Sequence, residues 1–341
     1  MTHRIALNFE DGVTRFVEAR AGETIADASY RVGVNIPLDC RDGACGACKC
    51  RVEAGAYESG AYIEDALSDE EAQAGFALAC QATPKSDMAI SILASSAACK
   101  TKQQEWETTL VKVERLSESS LAFTLEKPAG LSFLPGQYVN VGVPGTDQSR
   151  AYSFSSAPAD DHLSFLVRDV PGGLMSGWLS ERAKAGAAMR MSGPCGAFYL
   201  RDLSRPALFL AGGTGLAPFL SMLGEMKAKG DSSAVRLIYG VTHDEDLVSV
   251  DTLEGLAAEI PNFTYTTCVA SPASSHAGKG YVTDHILPDD LNGGDVDIYL
   301  CGPPAMVEAV RSWLGQKGVT PASFHYEKFT PGAATPASKA A

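Results

Sequence analysis

Four cysteines in the first quarter of the chain have types and spacing that suit a metal cluster. Cys40, Cys45 and Cys48 form the pattern C-x4-C-x2-C, and Cys80 follows about thirty residues later. This is the ligand order of a plant-type 2Fe-2S cluster. Glycine and alanine fill most positions between the first three cysteines, so the backbone can turn its amides toward anionic sulfur. The pattern predicts a one-electron carrier.

The same four thiolates could instead hold a structural zinc ion. Zinc usually takes its thiolates as two C-x2-C pairs, and only Cys45 and Cys48 form such a pair. The spacing therefore favours the iron-sulfur cluster. Four other cysteines are interpreted as small buried packing residues: Cys50, Cys99, Cys195 and Cys268.

A second group of motifs follows apolar runs near the end of the chain. The glycine-rich segment 212–215 comes after the run 207–211 and leads into a helix predicted to start near Leu216. Free amides and the helix dipole would converge there, where a dinucleotide pyrophosphate could lie. The segment lacks the G-x-G-x-x-G spacing, so a tight strand-to-helix turn is the alternative.

Length and charge limit the possible functions. The 341 residues suffice for two or three domains, and the net charge of −13 argues against nucleic acid and anionic membrane surfaces as partners. No charged and apolar leader opens the sequence, and no apolar run reaches the roughly 18 residues of a membrane span. We therefore expect a cytoplasmic protein.

The elements that position these motifs change character along the chain. Alternating residues on both sides of Asp11-Gly12 predict a hairpin, and Thr24 begins a capped helix. Short strands with turn residues from about 106 to 203 predict a small antiparallel barrel. After Arg205, apolar runs separated by helical stretches predict a parallel α/β sheet. The small-residue segment 94–104 is predicted to be a linker.

The chain resembles the ferredoxin-NADP reductase superfamily in five motifs that come in that family's order. They are P-G-Q-Y (135–138), R-A-Y-S (150–153), G-L-M-S (173–176), G-G-T-G-L-A-P (212–218) and C-G-P-P (301–304). With the cysteine run in front, the chain is similar to reductase components of two-component aromatic-ring dioxygenases, most closely those acting on benzoate-like carboxylates. This resemblance implies a multidomain fold.

The resemblance implies three domains. They are a β-grasp 2Fe-2S ferredoxin domain at 1–98, an antiparallel β-barrel FAD domain at 104–203 and an α/β parallel-sheet NAD domain at 204–331. Residues 332–341 form a small-residue tail that we predict to be disordered.

The resemblance also implies roles for individual residues. Arg150 would bind the FAD pyrophosphate, Tyr152 would lie against the isoalloxazine, and Ser153 would be near the flavin edge that accepts hydride. The implied catalytic residues are Ser153, Cys301, Glu327 and Phe329. The implied cofactor-binding residues are Arg150, Ala151, Tyr152, Ser153, Val167, Arg168, Val170, Gly173, Leu174, Met175, Ser176, Gly212, Gly213, Thr214, Gly215, Pro218, Gly240, Val241, Asp246, Cys301, Gly302, Pro303, Met306 and Phe329.

The choice between NADH and NADPH depends on the residues after the run V-R-L-I-Y-G-V. A 2′-phosphate needs Arg or Lys, whereas a ribose hydroxyl tolerates a carboxylate. Asp244, Glu245 and Asp246 follow the run, so the sequence predicts NADH. Arg236 on the strand, or Lys279 in another segment, would reverse this choice if it swung in.

We therefore predict an NADH-dependent reductase that passes electrons through FAD and a 2Fe-2S cluster to a terminal Rieske-type oxygenase. Flavin accepts two electrons and can release them singly, which suits this route. One alternative is the reductase of a diiron phenol- or methane-type monooxygenase. An alternative from a different class is a non-catalytic iron-sulfur redox sensor, which would leave the flavin and nicotinamide motifs unused.

Overall fold

The structure is a computed structural model that describes residues 2–38, 41–44, 46–64, 66–100, 104–329 and 335–336. The chain divides into two units. The first contains Met1–Gln104 with Gly193–Ala197, and the second contains Glu105–Ser192 with Phe198–Ala341. Among the described residues, no helix has the length and apolar character needed to cross a membrane.

The first unit has a five-stranded mixed sheet and two short helices. Its elements are β1 (His3–Phe9), β2 (Thr14–Ala19), α1 (Ile25–Arg31), β3 (Lys49–Ala54), β4 (Tyr57–Glu58), α2 (Asp69–Gln73), β5 (Phe76–Leu78), β6 (Thr83–Pro84) and β7 (Met88–Ile92), followed by a 3-10 turn at Ala98–Lys100. The sheet order is β2-β1-β7-β3-β5, and β4 pairs with β6. β1 is antiparallel to β2 and parallel to β7. The predicted hairpin and β-grasp fold are confirmed.

The first helix starts where the sequence predicts. Thr24 is its N-cap, and the Thr24 hydroxyl accepts a hydrogen bond of 3.2 Å from the backbone N–H of Asp27. This bond satisfies one of the free amides of the first turn. The helix then buries Ile25 and Ala28 against the sheet.

The predicted linker is wrong for residues 94–100. The backbone N–H and hydroxyl of Ser96 donate to Asp11 Oδ2 at 2.9 and 2.8 Å. Asn35 N–H donates to the Cys99 carbonyl at 2.9 Å, and the Cys99 side chain is buried. Small polar residues are common in linkers, but here they return to the sheet through side-chain hydrogen bonds. Residues 101–103 lie outside the described part of the chain.

An antiparallel barrel follows, and apart from Gln104 and residues 193–195 its strands belong to the second unit. Its elements are β8 (Gln104–Arg115), β9 (Ser120–Glu126), β10 (Tyr138–Gly142), β11 (Gln148–Ser153), β12 (His162–Arg168), α3 (Leu174–Glu181) and β13 (Ala188–Cys195). The strand order is β12-β9-β8-β13-β10-β11, and a bridge between Phe154 and Phe165 joins β11 to β12. This bridge closes the sheet, which removes its open edges. Both phenylalanines are fully buried in the barrel core. The predicted barrel is confirmed.

A parallel sheet completes the second unit. Its elements are β14 (Ala207–Gly212), α4 (Ala217–Lys229), β15 (Val235–Val241), α5 (Val250–Glu259), β16 (Phe263–Val269), β17 (Asp297–Gly302), α6 (Pro304–Gln316) and β18 (Ser323–Lys328). The order is β16-β15-β14-β17-β18, with every pair parallel. Apolar clusters cover both faces, which explains the continuous apolar runs. The predicted α/β sheet is confirmed.

The prediction of a helix starting near Leu216 is confirmed, because Leu216 is the N-cap of α4 and a 3-10 turn at Gly213–Leu216 leads into it. The predicted disordered tail lies outside the described residues except for β19 (Thr335–Pro336). This strand pairs with Gln148 and Ser149 of β11, so the prediction of disorder does not hold for these two residues.

Candidate functional site

Two of the four predicted cluster ligands lie side by side in the first unit. Cys48 and Cys80 are both buried, and the backbone N–H of Cys80 donates to Cys48 Sγ at 3.5 Å. Ala79 N–H donates to the Cys48 carbonyl at 3.0 Å, which holds the two segments together. An amide directed at sulfur suits a thiolate ligand. Cys40 and Cys45 lie outside the described residues.

The loop around these ligands is shaped by two glycines. Gly43 and Gly46 have φ values of +80° and +74°. A Cβ on Gly43 would lie 2.5 Å from the Ala61 carbonyl oxygen, and a Cβ on Gly46 would lie 2.9 Å from that of Ala66. Only glycine fits both this backbone and this close approach. The described part of the loop is thus compatible with a cluster enclosed by backbone.

Gln81 is a residue near the cluster ligands that the sequence reasoning missed. Its side-chain Nε2 donates to Cys80 Sγ at 3.7 Å and to the Arg41 carbonyl at 3.1 Å. The amide therefore joins the fourth ligand to the loop that carries the others.

Cys50 behaves as predicted, since it is fully buried and burial raises the pKa of its thiol to about 12. This environment opposes the thiolate that a metal requires.

The motif R-A-Y-S lies on β11 of the barrel. The half-buried Arg150 guanidinium donates to the Ser149 carbonyl at 2.8 Å and to Gln148 Oε1 at 3.0 Å. The Tyr152 ring contacts Phe123 edge-on, with centroids 5.5 Å apart. Burial raises the pKa of Tyr152 well above 10.0, so its phenol remains protonated. A neutral aromatic face and a fixed cation suit a flavin nucleotide.

The loop before α3 is the predicted phosphate site. Its backbone groups suit this role better than its side chains do. Gly173 is the N-cap of α3 and makes no side-chain capping bond. Ser176 Oγ is bonded to the backbone N–H and carbonyl of Val170, at 3.2 and 3.1 Å. The side chains of Val167 and Met175 are buried in the barrel core, so only their backbones can face a cofactor. The side chains of Val170 and Leu174 are exposed.

The four predicted catalytic residues are brought to one edge of the parallel sheet. Ser153 Oγ, at the end of β11, donates to Glu327 Oε2 at 3.1 Å. Cys301 lies directly opposite Glu327 on the neighbouring strand. Phe329 follows β18, and its N–H donates to the Gly302 carbonyl at 2.9 Å. The barrel and the sheet therefore meet at this hydroxyl, thiol and carboxylate.

The Cys301 thiol is in an environment that keeps it neutral. The side chain is fully buried. Burial raises the pKa of this thiol well above its ordinary value of 9.0, and the charge of Glu327 raises it further. A neutral thiol can contact an uncharged ring without repulsion. Its position suits packing against a nicotinamide more than nucleophilic attack.

A cavity of about 310 Å³ opens beside this edge. Predicted residues in its wall are Arg168, Gly212, Gly213, Thr214, Gly240, Val241, Asp246, Pro303 and Met306. Gly215 is buried against Cys301, because a Cβ there would be 2.5 Å from the Cys301 carbonyl oxygen. Pro218 is buried in the first turn of α4. The carboxyl ends of parallel strands form one wall, as in other open α/β sheets.

The three residues of the acidic loop 244–246 have different surroundings. Asp246 lines the cavity, whereas Asp244 Oδ1 accepts a hydrogen bond of 2.7 Å from Ser274. Glu245 is exposed. Arg236 forms an ion pair of 3.1 Å with Asp290, so its charge is already paired with a carboxylate. Asp246 is therefore the member of the triplet that can reach a ribose.

Several cavity residues were missed from the sequence, and Tyr281 is the most prominent. Its ring is 69% exposed at the cavity wall. It follows Gly280, whose φ is +102°, and its own N–H donates to Asp284 Oδ2 at 2.8 Å. A glycine and tyrosine after the third parallel strand are a signal that could have indicated this residue. Ser119, Ser120 and Thr242 also line the wall, and no motif marks them.

Comparison with known families matches all three parts of the chain. Residues 8–85 match the 2Fe-2S iron-sulfur cluster binding domain. Residues 107–199 match the oxidoreductase FAD-binding domain, and residues 209–312 match the oxidoreductase NAD-binding domain. These findings support FAD, NAD and a 2Fe-2S cluster as cofactors rather than a structural zinc ion.

Relatives extend the match over nearly the whole chain. The chain is 57% identical to the toluate 1,2-dioxygenase electron transfer component of Pseudomonas putida, over 96% of this chain and 99% of that protein. The chain belongs to this family of flavin and iron-sulfur reductases. The 2-halobenzoate 1,2-dioxygenase electron transfer component of Burkholderia cepacia is 52% identical, over 97% and 99% of the two chains.

A solved structure is similar to this chain over almost its full length. The crystal structure of a cytochrome P450 reductase from Amycolatopsis aligns with a TM-score of 0.72 and 32% identity. The alignment covers 96% of this chain and all of that one. The chain is therefore an enzyme of the oxidoreductase class.

Proposed function

We propose that the protein takes a hydride from NADH and passes the electrons through FAD and a 2Fe-2S cluster to the terminal oxygenase of an aromatic-ring dioxygenase. The observation that carries this proposal is the contact between Ser153 of the barrel and Glu327 of the parallel sheet, beside Cys301. It brings the predicted flavin edge next to the nucleotide cavity. When bound, FAD accepts two electrons from NADH and releases them singly.

The chain's own residues bind and orient the two nucleotides. We propose that Arg150 pairs with the FAD pyrophosphate and that Tyr152 covers the flavin ring. The Ser153 hydroxyl donates to Glu327, and we propose that this bond fixes the position of Ser153 beside the flavin edge. We propose that Phe329, which follows β18 and is held by a bond from its N–H to the Gly302 carbonyl, would cover the flavin ring when no nicotinamide is bound. We propose that Cys301, which is buried opposite Glu327, would pack against the nicotinamide of bound NADH and exclude water there.

The cavity wall provides groups for the rest of NADH. Arg168 and the glycine-rich turn 212–214 suit the pyrophosphate, because a cation and closely approachable backbone lie in one wall. The exposed Tyr281 ring suits the adenine, and Asp246 suits the adenosine ribose. These roles assign each part of the dinucleotide to a different element of the second unit.

The relatives favour a dioxygenase over the other partners considered. Toluate and 2-halobenzoate are substituted benzoates, so we propose a benzoate-like substrate for the partner oxygenase. A Rieske-type oxygenase is proposed as the acceptor, with no nucleic acid or membrane as partner. The cytoplasm, where NADH is regenerated, is the proposed location. We also propose domain boundaries at 1–98, 104–203 and 204–331.

The experiment that tests this function is anaerobic addition of NADH to the purified protein. We expect one FAD and one 2Fe-2S cluster per chain, and both should bleach in the visible spectrum. Reoxidation by a purified benzoate-type dioxygenase should follow with substrate present. Zinc without iron in metal analysis, or a spectrum that NADH leaves unchanged, would contradict the proposal and favour a structural or sensing role.

A first prediction concerns Arg150. The variant Arg150→Ala should lose most of its FAD during purification, because no other residue type presents the same forked cation to a pyrophosphate. FAD content per chain is read from the absorbance of the released flavin. The control is Arg190→Ala, which removes an exposed arginine from β13 of the same barrel. Full flavin occupancy in Arg150→Ala would remove the proposed role.

A second prediction concerns nucleotide choice. NADH should exceed NADPH by at least about tenfold in kcat/KM, which corresponds to ~1.4 kcal/mol. The 2′-phosphate of NADPH would meet the Asp246 charge in the cavity wall and be repelled. Asp246→Asn should lower this preference. Asp244→Asn should leave it unchanged, since Asp244 contacts Ser274 instead. Equal use of both nucleotides by the wild type would show that the acidic loop does not approach the ribose.

A further inference from the structure

Ser119 of the flavin barrel contacts the acidic loop of the nucleotide domain across the cavity wall. Its hydroxyl donates to Asp246 Oδ1, and both residues line the cavity. Asp246 Oδ2 accepts the backbone N–H of His243 at 3.2 Å. The Asp246 carbonyl accepts the hydroxyl of the buried Tyr239 at 3.3 Å. Asp246 is therefore held through its backbone and through both carboxylate oxygens.

The turn that carries Ser119 is itself firmly bonded to the barrel. The Ser119 carbonyl accepts the N–H of Asp169 at 2.7 Å. Arg115 donates to the Glu118 carbonyl at 3.0 Å and forms an ion pair of 2.8 Å with Asp169. A donor placed on such a turn loses little entropy when it binds the carboxylate. The Ser119 backbone is thus fixed, and its hydroxyl, which also lies 3.4 Å from Ser117 Oγ and 3.5 Å from Ser120 Oγ, reaches Asp246 from a different domain.

The count of lone pairs on Asp246 leaves room for a ligand. An ionised carboxylate has about four acceptor positions. Ser119 and His243 use one position on each oxygen. Two acceptor positions remain, which matches the two hydroxyl donors of an unmodified ribose. A ribose with a 2′-phosphate lacks one of these donors and adds charge.

We propose that Ser119 is a positioning residue for NADH, which orients the Asp246 carboxylate toward the 2′- and 3′-hydroxyls of the adenosine ribose. The proposal rests on the function proposed above and extends it to a barrel residue that no motif indicates. Ser119 makes no contact with the reacting atoms in this scheme. Its removal should weaken NADH binding and NADH selectivity while leaving the hydride step unchanged.

The test uses the full-length holoenzyme and separates binding from chemistry. Stopped-flow reduction of the flavin at graded NADH concentrations gives a dissociation constant and a limiting rate for each variant. For Ser119→Ala we expect the dissociation constant to rise about tenfold, the lower end of the effect of a hydrogen bond to a charged group. The limiting rate should stay within about twofold, because the nicotinamide half is unaffected. Binding of ADP-ribose by calorimetry should weaken by the same factor.

Three further variants make the result specific. Ser119→Thr keeps the hydroxyl and should restore the wild-type dissociation constant. Glu118→Ala changes an exposed neighbour in the same turn and should have no effect. In an Asp246→Asn background, Ser119→Ala should add little, because the two residues act as one unit.

Several outcomes would overturn the proposal. They are an unchanged dissociation constant in Ser119→Ala, additive effects with Asp246→Asn, or a fall in the limiting rate alone. A wild-type protein whose flavin NADH does not reduce would instead contradict the proposed function. The two failures are therefore distinguishable in one experiment.

Discussion

The variant Cys80→Ser is expected to abolish electron transfer to the oxygenase while flavin reduction by NADH continues. Cys80 is buried beside Cys48, and its loss removes one of the four thiolates of the predicted cluster. Apart from Gly193–Ala197, the FAD and NAD parts belong to the other unit, and they need no ligand from this segment. Iron content and the visible spectrum report the cluster, and transfer from NADH to ferricyanide reports the flavin.

Cys50→Ser is the matched control for this prediction. It makes the same atomic change at a buried cysteine whose Sγ donates to the Ala77 carbonyl at 3.5 Å. This variant should retain iron and coupled turnover, with at most a modest loss of stability. If Cys80→Ser kept its iron, the ligand assignment would be wrong. If NADH no longer reduced the flavin in a folded Cys80→Ser protein, the two cofactors would not be carried independently.

The second large effect is expected at Cys301. Replacement by alanine should lower the limiting rate of flavin reduction by about 10- to 100-fold, because a small misplacement of reacting groups can cost about two orders of magnitude. The NADH dissociation constant should change little, since in the proposed function the thiol packs against the nicotinamide rather than the adenosine half. Stopped-flow reduction under anaerobic conditions measures both quantities.

The pH dependence of this step follows from the buried thiol. Because burial and Glu327 hold the pKa of Cys301 well above 9.0, the thiol stays protonated as the pH rises through that value. The limiting rate should therefore show no thiol titration up to pH 9.0. The control is Cys268→Ala, a buried thiol on β16 whose pKa burial raises to about 11. A titration near 9.0 that disappears in Cys301→Ala would refute a neutral thiol.

Much of the fold was predictable because its signals are local. Alternation around Asp11-Gly12 and continuous apolar runs in the last domain reflect one-sided and two-sided burial of strands. The linker prediction was wrong at Ser96 for the opposite reason. Its hydroxyl finds a partner at Asp11, 85 residues away, and composition carries no information about such a contact.

The sequence by itself determined the cysteine ligand run, the order of the flavin and nicotinamide motifs, and the three fold types. Each of these depends on residue types at short, fixed separations. Only the tertiary structure decided which acidic residue faces the cavity, that Ser153 meets Glu327, and that Ser119 reaches Asp246. These pairs are far apart in the chain, and their side chains meet because the barrel closes and the parallel strands end at one edge. Contacts of this kind depend on packing, which no local pattern encodes.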